Sequence, residues 1–105
     1  MLIIYQVIVH VLRLLLPLIR RVERHDRDLA RQLRRACTSI LLNTGEGSGA
    51  KGGARRERYL TALGSARETT ACIDAAVALG YVEHVDAELL DKLDHVRATL
   101  VKLVR

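Results

Sequence analysis

The sequence predicts an all-α protein: an antiparallel up-down-up-down four-helix bundle that is homo-oligomeric. Three observations carry this. Half of the 105 residues are hydrophobic, yet there is no Trp or Phe and only three Tyr, so the apolar mass is the Leu, Ile, Val and Ala of helix bundles. Four segments repeat apolar residues at helical spacing, with short breaks between them. Two of the four carry more apolar or small surface than one bundle can cover. The length allows one domain, residues 1–105, with a single core.

The first helix is predicted over about 2–24. Met1 to Ile19 is apolar enough to suggest a membrane span or signal peptide, but the positive charges Arg20, Arg21 and Arg24 follow the apolar run instead of preceding it, and no small-residue cleavage site is evident. Gln6, His10, Arg13, Pro17, Arg20 and Arg24 recur at steps of four and three, which places them on one narrow stripe. A helix wet along one stripe and apolar elsewhere is expected to be buried against neighbouring helices, with no membrane involved. Pro17 on that stripe would curve the helix around the core.

The second helix is predicted over 26–44, capped by Asp26 or Asp28 and ended by Gly45. Leu29, Leu33, Ala36 and Ile40 form its apolar face, and Arg27, Arg31, Arg34 and Arg35 fall opposite. Five glycines among residues 45–53 predict a flexible loop, and Asn43 and Glu46 beside it are read as caps for the flanking helix ends. The third helix, 55–79, shows a seam of Tyr59, Leu63, Ala66, Thr70, Ile73 and Val77. Its far side holds Gly64, Ser65, Ala71, Cys72, Ala75 and Leu79, small or mildly apolar where water would favour Lys and Glu. Gly64, Ala71, Cys72, Ala75 and Leu79 are therefore the candidate subunit interface. The fourth helix, 86–104, buries Leu89, Leu93, Val96, Leu100 and Leu103, with acids early and Lys102 and Arg105 late, as the helix dipole prefers.

At this point the residues resemble a family. Leu29-Ala30-Arg31-Gln32-Leu33-Arg34-Arg35-Ala36, Ser39-Ile40-Leu41-Leu42-Asn43-Thr44-Gly45-Glu46-Gly47, Ala62-Leu63-Gly64-Ser65-Ala66-Arg67-Glu68 and Leu79-Gly80-Tyr81 are similar to the four-helix-bundle proteins encoded in intervening sequences of bacterial 23S ribosomal RNA genes. The most specific part is Ser-Ile-x-x-Asn-x-x-Glu-Gly followed by Gly-Ser-x-x-Glu. The resemblance covers nearly the whole chain. It implies a ring-shaped homopentamer, a relationship to the nucleic-acid-binding accessory proteins of diversity-generating retroelements, and no known enzymatic activity. Thr44 and Gly45 depart from the usual Ile and Ala of that pattern.

No catalytic constellation emerges, so the chain is expected not to be an enzyme. Gly47-Ser48-Gly49-Ala50-Lys51-Gly52 satisfies GxGxxG, but a helix precedes it where a dinucleotide or phosphate-binding loop requires a strand, and Gly52 stands where a P-loop has Ser or Thr. No cofactor or small-molecule substrate is implied. Cys37 and Cys72 lie far apart, and His10, His25, His84 and His95 show no ligand spacing, which predicts free thiols, a reducing cytoplasmic setting and no metal.

Charge is the remaining functional signal. Arg13 to Arg58 holds twelve basic residues and five acids, a net charge of +7, whereas Tyr59 to Arg105 has five basic residues and seven acids, a net of −2. Such a basic surface, repeated in an oligomer, fits RNA or DNA phosphates, and Arg20, Arg24, Arg27, Arg31, Arg34 and Arg35 are the candidate contacts. The alternative is a structural or protein-docking scaffold whose arginines serve subunit assembly or solubility. No sequence motif reads base edges.

Overall fold

Four helices account for almost all of the chain. A computed structural model describes residues 3–105; Leu2, the expected start of the first helix, lies outside them. The helices are α1 (Ile3–Glu23), α2 (Arg27–Gly49), α3 (Gly52–Ala78) and α4 (Ala87–Leu103), and no strand occurs among the described residues. α2 and α3 form the most extensive pair. α1 packs on α2, α4 packs on α3, and α1 also meets α4.

α1 is long and apolar enough, by length and composition, to cross a membrane. In the structure its apolar face (Ile4, Ile8, Val11, Leu15, Leu18, Ile19 and Val22) is buried within the chain. The polar stripe faces outward: Gln6, Arg13, Pro17, Arg20 and Arg24 are exposed and His10 half-buried. The helix runs through Pro17 without interruption.

The largest departure from the sequence reading is the glycine-rich segment. Residues 45–53 are not a flexible loop, because α2 continues to Gly49, α3 begins at Gly52, and only Ala50 and Lys51 lie between. The first two glycines allow close packing. A Cβ built on Gly47 would stand 2.6 Å from Cε1 of the Tyr59 ring, and one on Gly45 would stand 3.3 Å from Cε2 of Tyr5. Glycine here lets rings from α3 and α1 lie against the α2 backbone. The chain reverses at Gly52, whose φ of +57° disfavours any residue with a Cβ.

α3 also departs from its expected phase. Tyr59, Leu63, Ala66 and Ile73 are buried, but Thr70 and Val77 are exposed, while Ala62, Ser65, Thr69, Cys72 and Ala76 are buried in their place. Small, mildly polar side chains had suggested an outer surface. Their smallness instead allows α2 and α3 to approach closely, and packing between α2 and α4 buries a wider arc of α3 than one seam. Cys72 is thereby withdrawn from the outer stripe into the core.

Both cysteines are free and buried. Burial pushes the Cys37 thiol above its ordinary range, and burial together with the nearby Glu68 carboxylate does the same at Cys72, so neither is poised as a thiolate nucleophile. Thr44 is completely buried and its Oγ1 has no hydrogen-bond partner.

Candidate nucleic-acid interface

The corner between α1 and α2 positions half of the candidate arginines. α1 ends as the amides of His25 and Asp26 both donate to the Val22 carbonyl, at 2.9 and 2.8 Å. Asp26 then caps α2 by accepting from the Leu29 amide at 2.9 Å. The corner is pinned from the far end of α3. Tyr81 donates its hydroxyl to Asp26 at 3.3 Å, and its ring stacks on His25 with centroids 5.2 Å apart. Partial burial and the Asp26 carboxylate hold the Tyr81 phenol above its ordinary range, so it remains the donor.

Around this corner Arg20, Glu23, Arg24 and Arg27 line a surface concavity of about 650 Å³. Arg20 also lies in the last turn of α1, where a cation complements the helix dipole. Farther along α2, Arg31 approaches Asp28 at 3.8 Å and Arg34 approaches Glu23 at 3.7 Å. All four groups are at least half exposed, so these pairs hold the guanidinium groups weakly and leave them free to exchange partners. Arg35 diverges from this row. It lines the groove between α2 and α3, with Gln32, Ala36 and Ser39 on its own side and Ser65 and Glu68 opposite. The structure therefore gathers Arg20, Arg24 and Arg27 at the α1–α2 corner, ties Arg34 to it through Glu23, leaves Arg31 paired within α2 and sets Arg35 at the edge of a second site.

Next to that groove the structure departs from the sequence reading. Asn43 and Glu46 are not helix caps, since α2 continues past both. Asn43 donates through Nδ2 to the Ser39 carbonyl and to Ser39 Oγ, each at 3.0 Å, and Ser65 of α3 donates to the same Ser39 Oγ at 2.7 Å. Arg58 of α3 reaches back to Asn43 Oδ1 at 3.4 Å and pairs with Glu46 at 3.1 Å. These bonds form a polar seam joining the two helices. The signal for it was present, because Ser39, Asn43 and Glu46 follow one another at steps of four and three and so share a helix stripe.

The candidate subunit interface divides. Gly64, Ala71 and Leu79 are exposed and Ala75 half-buried along the outer side of α3, whereas Cys72 lies inside. A Cβ on Gly64 would meet nothing within 4 Å. Among the described residues no group of three or more His, Cys, Asp or Glu is placed to hold a metal ion.

The profile of the family described as 23S rRNA-intervening sequence protein matches residues 2–102. The chain belongs to that family. A crystal structure of a protein of unknown function from the S23 ribosomal protein family of Bacteroides thetaiotaomicron VPI-5482 superposes with a TM-score of 0.81, covering 98% of this chain and 99% of that one. At 16% identity the likeness concerns the fold alone. No curated protein matches the chain. In this member of the 23S rRNA-intervening sequence family, Ser39, Asn43 and Glu46 of α2 and Ser65 and Arg58 of α3 make up the seam, with Glu68 on the wall of the groove beside it.

Proposed function

We propose that the protein is a non-enzymatic, cytoplasmic homo-oligomer, five copies of an antiparallel up-down-up-down bundle, that binds RNA or DNA phosphates through its basic face. The observation that carries the binding reading is the state of the arginines. Arg20, Arg24, Arg27, Arg31, Arg34 and Arg35 are all exposed, and only Arg31 and Arg34 have a carboxylate within ion-pair distance among the described residues. Such groups retain their charge for phosphate, and an oligomer would repeat them.

The antiparallel arrangement is supported by the links. Residues 24–26 and 50–51 are too short to carry the chain back along a bundle, so consecutive helices reverse direction. Self-association is supported by the outer side of α3 beyond Glu68, where Ala71 and Leu79 are exposed and Ala75 half-buried in a small and apolar strip. Light scattering should show an oligomer that Ala71→Arg disrupts without unfolding the chain. A monomeric wild type would overturn assembly.

Binding is tested by salt dependence. Removing one arginine that neutralises a phosphate should reduce the slope of log affinity against log salt by about 0.9 on duplex DNA. Replacing Arg27, Arg31 and Arg34 with Ala should weaken binding and flatten the slope while the assembly stays intact. The second reading, a protein-docking scaffold, is favoured by Leu42, which is 59% exposed in a depression of about 340 Å³ between Arg34, Arg35 and Thr38. Absence of any affinity for RNA or DNA at low salt, or dissociation of the triple variant, would select it.

A further inference from the structure

We infer that the groove between α2 and α3 receives one unpaired guanine base of a single-stranded RNA or DNA whose phosphates lie on the neighbouring arginines. The inference rests on the phosphate-binding reading above and adds a base contact to it. The groove encloses about 450 Å³ and is lined mainly by polar groups. Arg35 stands on its α2 wall and Glu68 on its α3 wall, both exposed, yet neither has an ion-pair partner among the described residues, including each other. A cation and an anion thus share one cleft without closing on one another.

Ser39 adds a directed donor. Its Oγ accepts from both Ser65 and Asn43, so its own proton is left for a group in the groove. Gln32 supplies an uncommitted amide, and buried Ala36 an apolar floor.

Among the bases, guanine matches this set. Its O6 and N7 are adjacent acceptors suited to an arginine fork, and its N1–H and N2–H are adjacent donors suited to a carboxylate. Bridging the groove, it would satisfy Arg35 and Glu68 together. Adenine would turn its acceptor N1 toward Glu68, and uracil would present a single donor between two acceptors. Duplex DNA presents no free Watson–Crick edge, so the contact requires an unpaired nucleotide. Arg31 and Arg34, four residues and one residue before Arg35 on α2, would hold the flanking phosphates.

The test compares two uridine hexamers, one with a single central guanine and one with adenine in its place, titrated into the purified wild-type assembly. The wild type should prefer guanine by about tenfold, the scale of one bidentate base contact. Glu68→Gln, at an exposed position that leaves the core untouched, should cut the ratio several-fold without reducing the salt slope, the remaining preference being that of Arg35 for O6 and N7. Replacing Arg27, Arg31 and Arg34 with Ala should lower both affinities and flatten the slope while retaining the ratio. Equal wild-type affinity for the two hexamers, or an unchanged ratio in Glu68→Gln, overturns the base contact and leaves phosphate binding standing. Failure to bind either hexamer at low salt overturns the base contact, and failure to bind duplex DNA as well overturns the phosphate-binding reading.

Discussion

The two ends of the run Gly45–Gly53 share a composition and do opposite work. At the α2 end, Gly45 and Gly47 are helical and lie under the rings of Tyr5 and Tyr59, so glycine serves as absent volume. At the α3 end, Gly52 and Gly53 have open space around them, and Gly52 takes a positive φ, so glycine serves as conformational range. A glycine count therefore measures neither flexibility nor packing until the neighbours of each position are known.

Adding a methyl group at each end separates the two roles. Gly47→Ala should have the largest effect, because a Cβ 2.6 Å from a buried ring forces Tyr59 or the helix to move. A loss of about 1–3 kcal/mol is expected in urea unfolding, partly recovered when Tyr59 is replaced by Leu. Unchanged stability would break the comparison, since Gly47 would then be no more packed than Gly53. Gly52→Ala meets no atom but must hold φ at +57°, and it should cost about 1 kcal/mol with no rescue from Tyr59→Leu.

Thr44, beside Gly45 in the packed half, offers an expected gain. Its hydroxyl is buried without a partner, so Thr44→Val, which keeps the shape and removes the orphan group, should stabilise by about 1 kcal/mol. A destabilised Thr44→Val would mean that the hydroxyl is satisfied in solution. The smallest effect should come from Gly53→Ala. This position lies in open space within the first turn of α3, and the substitution should raise stability by about 0.5 kcal/mol by restricting the unfolded chain. Opposite signs at Gly47 and Gly53 in the thermal midpoint are the sharpest form of the contrast.

The sequence by itself determined the all-helical class, the four segments and the family. Those features rest on periodicity, on caps such as Asp26 and Gly80, and on ordered motifs, all written in local spacing. The wet stripe of α1 and the outward arginines of α2 were legible for the same reason, because a step of three or four residues fixes a helix face without knowledge of neighbours. Only the tertiary structure decided which small residues were surface and which were contact. Ser65 and Cys72 look like the exposed Gly64 and Ala71 in sequence, but Ser65 is buried against Ser39 of α2 and Cys72 within the core, while the second pair is left open. It likewise turned Asn43 and Glu46 from expected caps into a seam with Arg58, and brought Arg35 and Glu68 to one groove from helices far apart in the chain. The physical reason is that a side chain's helix face is set by local geometry, whereas its burial depends on the distance and identity of the neighbouring helix, which local spacing does not encode.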